Sequence, residues 1–136
     1  NISFVRGDAQ TPSQFLPSNY FPNIILSSYL MKYLDNEIFV ADAAKLMNRD
    51  SILITHEIAY PNDALMQFLY NNHVRFLSGV LSFNPLWKDL AVEMESIFIN
   101  NQWLSQHLYS LRRHNYQVKI NTLPLSMSTV IYARKQ

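Results

Sequence analysis

Cysteine is missing from this 136-residue chain, and glycine occurs only twice, at Gly7 and Gly79. The first absence excludes disulfides and thiolate metal ligands. The second argues against a self-contained phosphate-cradling loop, which needs backbone without a Cβ at several positions. Charge is also scarce. Asp, Glu, Lys and Arg together make up 15 %, and the net charge is +1. That balance offers no basic surface for nucleic acid, so no nucleic-acid partner is expected. No apolar stretch approaches the roughly 20 residues of a membrane span, so no membrane partner is expected either. No signal-peptide pattern is visible, and a cytoplasmic location is the expectation.

What the chain does have is apolar residues, at 49 % of the total. That is enough for one domain with its own core. Residues 2–6 ("ISFVR") read as a strand closed by Gly7-Asp8. Residues 9–22 hold three prolines and form a long loop. The run Ile24-Ile25-Leu26 reads as a strand buried on both faces, ending in Ser27 and Ser28. Asp35 suits the N-cap of a helix over 36–47. Asn48-Arg49-Asp50 is a turn, and "SILITHEI" (51–58) is a second buried strand.

Asn62 or Asp63 caps a helix that breaks near Gly79, and Asn84-Pro85 opens another that presents Leu90, Met94, Ile97 and Phe98. A further helix carries Leu104, Leu108 and Leu111 and closes on Arg112, Arg113 and His114. Cations suit that dipole end, and Asn115 stands where a helix stop often has glycine. Tyr116, Val118 and Ile120 alternate, as do Val130 and Tyr132. Only a short turn separates these two runs, so they pair antiparallel. The order predicts an α/β, Rossmann-like, mostly parallel sheet with an antiparallel C-terminal strand and helices on both faces.

Several short motifs carry little chemistry. Arg6-Gly7-Asp8 is a strand-ending turn. His56-Glu57 lacks a second histidine at helical spacing, and the four histidines show no metal spacing, so no metal is expected. There is no G-x-S-x-G, which counts against an α/β-hydrolase nucleophile at Ser27 or Ser28. The aromatics of 60–103, among them Tyr60, Phe68, Phe76, Trp87 and Trp103, are either ordinary helix core or a cover lining an apolar pocket.

"GDA" after a strand, a loop with Leu-Pro, "PNIILSSYLMKYLDN", "ADAAKLMNRDSILITHEI" and "INTLPLSMSTVIYARK" stand in that order. Together they resemble the class I S-adenosylmethionine-dependent methyltransferases. The resemblance implies a single partial methyltransferase domain over 1–136, with 60–103 a helical cover insertion. The family's first strands, glycine-rich cofactor loop and ribose-binding acid have no counterpart here. Asn48-Arg49-Asp50 replaces its proline-glycine-glycine turn. The chain therefore resembles the C-terminal part of such an enzyme with the N-terminal strands missing, and weak or no cofactor binding by this part alone is expected.

Carried over position by position, the resemblance puts Asp8 on the adenine amino group and the Ala9 N–H on an adenine ring nitrogen. Ser27, Ser28 and Tyr29 fall beside the methionine part, and Leu30 near the adenosine. Tyr33, His56 and Glu57 become candidates for the catalytic, substrate-facing side. The implied cofactor is S-adenosylmethionine, and the implied substrate is a small, largely apolar molecule. The alternative is a catalytically inactive module that keeps the fold and binds or scaffolds. In the family's sheet order, 3-2-1-4-5-7-6, the strand at 2–6 would be cut off from that at 23–28. That leaves an apolar edge, which predicts a homodimer or pairing with a missing N-terminal part.

Overall fold

The computed structural model describes residues 2–61, 63–87, 89, 102–122 and 128–136. Four strands form one sheet: β1 (Ile24–Ser28), β2 (Ile52–Glu57), β3 (Tyr116–Thr122) and β4 (Thr129–Lys135). Their order is β1-β2-β4-β3. β1 and β2 are parallel, while β4 runs antiparallel to both of its neighbours. The helices are α1 (Asn36–Leu46), α2 (Ala64–Ser82) and α3 (Gln102–Arg113). The fold is α/β, with the expected reversed last strand. The turn between β3 and β4, and the helix expected after Asn84-Pro85, lie outside the described residues.

Local chemistry explains the ends of these elements. Asp35 caps α1 by accepting from the Glu37 and Ile38 N–H groups at 3.0 and 3.1 Å. Lys135 Nζ donates to the Ala44 and Met47 carbonyls and so satisfies the other end of α1. Asn115, at φ 60°, ends α3 in the left-handed conformation. Asp50 takes the same conformation, at φ 72°, in the turn before β2, and its carboxylate receives two bonds from Arg134. An aspartate tolerates that φ better than most side chains, so the turn closes without glycine.

Strand alternation sorts the side chains. Leu53, Thr55 and Glu57 of β2, with Ile131 and Ala133 of β4, are buried. They share a core with Phe39 and Val40 of α1 and with Trp103 and Leu111 of α3. The other face carries Ile24, Leu26, Ile52, Ile54 and Tyr132, which the register sets side by side.

Three expectations are corrected here. Residues 2–6 are not a strand; they are irregular and exposed. β1 is not buried on both faces, because Ile24 is 58 % and Leu26 69 % exposed. No helix among the described residues covers them, and β1 is the edge strand of the described sheet. The second helix does not break near Gly79; it continues to Ser82, and open space lies where a Cβ at Gly79 would stand.

The loop 9–22 is tied to α1 rather than to the sheet. Its single 3-10 turn (Pro12–Gln14) is anchored by Ser13, whose N–H and hydroxyl both donate to the Asp42 carboxylate at 2.8 and 2.7 Å. Burial opposes ionisation of Asp42, but bonds from Lys45 and Ser13 outweigh it and hold the carboxyl below its ordinary value.

Candidate functional site

Parallel pairing aligns the carboxyl ends of β1 and β2, with Ser28 opposite His56. Ligands of open α/β sheets collect at such ends. His56 is held there from two sides. Its Nδ1 lies 3.1 Å from Ser28 Oγ and its Nε2 2.6 Å from Ser128 Oγ. A neutral imidazole has one N–H and one lone pair, so one hydroxyl accepts from the ring and the other donates to it. Tyr29 packs edge-on against the ring at 4.9 Å and donates its backbone N–H to the His56 carbonyl. Tyr29 sits at φ 56°, an unusual conformation for a tyrosine, and half its side chain is exposed. The strand thus stops abruptly, leaving a hydroxyl, a phenol and an imidazole together at its tip.

Neighbouring residues on a strand face opposite ways, and this divides the candidates. Ser27 and Glu57 turn to the α1/α3 side and are buried. Glu57 and His56 therefore point to opposite faces of β2. Its Oε1 accepts from the Ile58 N–H at 3.0 Å, and its Oε2 is buried without a hydrogen-bond partner. The Ser27 hydroxyl is likewise buried and unpartnered. Around Glu57 lies a polar neighbourhood. Burial lowers the Lys32 ammonium from its ordinary value, against the pull of the Glu57 carboxylate. Burial, then the charges of Glu57 and Tyr60, push the Tyr70 phenol up to about 12.

The remaining candidates are more scattered. Asp8 accepts from the Gln10 N–H at 2.8 Å, which closes a local turn, and both Asp8 and Ala9 are exposed. Gln10 Oε1 accepts from the Asp35 N–H at 3.0 Å, so this turn is tied to the start of α1. Tyr33 is exposed in the β1–α1 connection, while Leu30 packs against the core. A cleft of about 380 Å³ opens between the start of α1 and α3, lined by Asp35, Glu37, Tyr109 and Arg113 among others.

Ser128 and His107 were not among the candidates. Ser128 reaches His56 only through the β3–β4 hairpin, which no local pattern around residue 128 announces. His107 of α3 is fully buried, with Nε2 3.2 Å from Thr55 Oγ1 and Nδ1 without a partner. Burial pushes its pKa down to about 4. Its spacing from Trp103 and Leu111 along one helix face was the available signal. Among the described residues no group of three or more His, Asp or Glu is placed to hold a metal, and no helix is long and apolar enough to cross a membrane.

No protein-family model matches the chain, and no curated protein matches it. Solved structures do. The pyocyanin biosynthetic protein PhzM is similar at 16 % identity with a TM-score of 0.55, covering 94 % of this chain. A possible exported protein from Bordetella parapertussis is similar at 13 % identity with a TM-score of 0.56, covering 96 %. At these identities the likeness is one of fold. The chain spans 33 % of the first structure's length and 43 % of the second's.

Proposed function

We propose that this chain is the C-terminal part of an S-adenosylmethionine-dependent methyltransferase that acts on a small, largely apolar acceptor. One observation carries the reading. A β1-β2-β4-β3 sheet with only β4 reversed brings Ser28, Tyr29 and His56 to a single strand tip, beside the connection to which the Asp8 turn is tied.

The side chains present suit the cofactor's chemistry. Asp8 has a carboxylate oxygen beyond the one engaged by Gln10, which suits an adenine amino group. The exposed Ala9 backbone lies beside it. Ser28 and Tyr29 supply a hydroxyl and an aromatic wall at the strand tip. When bound, the cofactor supplies an electrophilic methyl on a sulfonium, so orientation and exclusion of water carry much of the rate.

His56 is the group assigned to move a proton. Ser28 is exposed and its Oγ lies 3.1 Å from His56 Nδ1, so a proton leaving an acceptor hydroxyl or carbon acid has a route through Ser28 to the ring. Ser128 fixes the ring from the other side. Tyr33, exposed nearby in sequence, is assigned to the acceptor side. Glu57, buried on the other face, is assigned an electrostatic role toward Lys32 and Tyr70 rather than contact with the acceptor.

Calorimetric titration of S-adenosylhomocysteine into the full gene product tests the reading. Binding is expected, and Asp8→Ala is expected to weaken it about tenfold by removing one charge-assisted hydrogen bond to the adenine amino group. His56→Gln is expected to leave that affinity unchanged while abolishing methyl transfer. Absence of binding overturns the methyltransferase reading and favours the inactive, scaffolding alternative. Unchanged affinity in Asp8→Ala overturns only the adenine assignment.

A further inference from the structure

We infer that Ser128 sets the tautomer of His56, keeping the proton on Nε2 and turning the lone pair of Nδ1 toward Ser28. The tautomer follows from which groups can donate; its use in catalysis rests on the methyl-transfer reading above. Register explains why Ser128 is in reach. His56 stands opposite Ser28 in the parallel ladder and opposite Val130 in the antiparallel one. Side chains two apart on a strand share a face, so Ser128, two residues before Val130, stands diagonal to His56 on that face. The imidazole thus lies across β2 with one hydroxyl at each nitrogen, from β1 on one side and from the lead-in to β4 on the other.

The two hydroxyls are not equivalent. Ser128 Oγ lies 2.6 Å from His56 Nε2 and also 3.4 Å from the Glu57 carbonyl oxygen. A carbonyl only accepts, and a hydroxyl has a single proton to give. With that proton on the carbonyl, Oγ accepts from the ring, and Nε2 carries the hydrogen. The chain then runs from Nε2–H to Ser128 O–H to the Glu57 carbonyl, and both contacts are used. Bonds in such a chain strengthen one another. In the reverse arrangement Ser128 donates to Nε2, and the carbonyl loses the hydroxyl. The carbonyl contact is long for a hydroxyl, so its part is to set direction rather than to add strength. Nδ1 is then the lone-pair nitrogen, and the Ser28 hydroxyl, 3.1 Å away, donates to it. In this tautomer His56 receives a proton at Nδ1 without rearranging, whereas in the other Nδ1 already holds one. Ser128 acts through His56 and is a positioning residue.

Nitrogen NMR of the full gene product, isotopically labelled at histidine, reads the tautomer directly, because a lone-pair ring nitrogen resonates far downfield of an N–H nitrogen. His56→Gln identifies the His56 signals. At about pH 8.5, well above the ordinary histidine value near 6.5, neutral rings are observed. In the unmodified protein Nδ1 is expected to give the lone-pair signal and Nε2 the N–H signal. Ser128→Ala is expected to move the tautomer ratio about tenfold toward Nδ1–H, the worth of one ordinary hydrogen bond. Ser128→Thr keeps the hydroxyl and is expected to restore the ratio, and Ser28→Ala is expected to leave the proton on Nε2. Methyl-transfer kinetics are expected to follow, with kcat lowered and KM unchanged in Ser128→Ala and kcat recovered in Ser128→Thr. A proton on Nδ1 in the unmodified protein overturns the assignment, since Ser128 is then the donor, and this measurement needs no variant of Ser128. Spectra of a folded Ser128→Ala that match the unmodified protein overturn the role of Ser128. The expected tautomer and its response to Ser128→Ala, in a protein that transfers no methyl group, uphold the assignment and overturn the methyltransferase reading alone.

Discussion

Two of the described helices make opposite use of their apolar residues. α3 has 12 residues and buries Trp103, His107, Ser110 and Leu111, a single stripe at helical spacing. α2 has 19 residues and is rich in Leu and Phe, yet it buries only Tyr70 and Val74. Leu65, Phe68, Leu69, Phe76 and Val80 all remain exposed. The sheet repeats the contrast, with a filled face under α1 and α3 and an open face at Ile24 and Leu26. Apolar content alone therefore does not decide burial. What decides it is whether a helix lies across a sheet face that can receive its stripe. On the proposed function, α2 is the cover of an acceptor pocket.

The contrast predicts the largest effect at the filled face. Leu111→Ala removes a fully buried side chain and is expected to cost about 2–5 kcal/mol in chemical denaturation. Phe68→Ala on α2 is expected to stay within about 0.5 kcal/mol, as exposed positions do. Equal costs at the two sites would break the comparison, because they would mean that α2 is packed after all.

Acid should act through the same filled face. His107 has a folded-state pKa of about 4, below its ordinary value near 6.5, so the unfolded chain binds its proton first. Its contribution is full above about pH 6.5 and is lost as pH falls toward 4. A shift of that size amounts to about 3 kcal/mol. His107→Gln should flatten this part of the stability profile. If the profiles of the two proteins run parallel between pH 7 and 4, His107 is not buried in the neutral form.

A smaller effect is expected where the loop meets α1. Asp42→Asn removes the charge that receives two bonds from Ser13 and one from Lys45. The expected cost is about 1–2 kcal/mol. Limited proteolysis should then cut within residues 9–22 sooner than in the unmodified chain. Unchanged protection there would mean that the loop is held by something other than this anchor.

Much of the fold was written locally. The Asp35 cap, the stop at Asn115, the turn at Asp50 and the antiparallel hairpin each depend on residues close in sequence, where capping, left-handed φ and strand alternation act. The strand tip at Ser28 was legible for the same reason, since an apolar run must end where small polar residues begin. Three things were not. "ISFVR" has strand propensity, but a strand exists only with a partner, and the chain does not bring one to it. The run Ile24-Ile25-Leu26 specified a strand but not how many of its faces are covered, because coverage depends on which helices the topology lays on each side. The adjacency of His56 and Glu57 suggested a pair, whereas pleating sends one to the strand-tip hydroxyls and the other into the core. The sequence alone thus determined most of the elements, several of their ends and the α/β class, all set by short-range energetics. Only the tertiary structure decided which apolar faces meet. It joined Ser128 to His56 across 72 positions and set His107 against Thr55 across 52. Those contacts exist only once the sheet order and register have fixed where each side chain points.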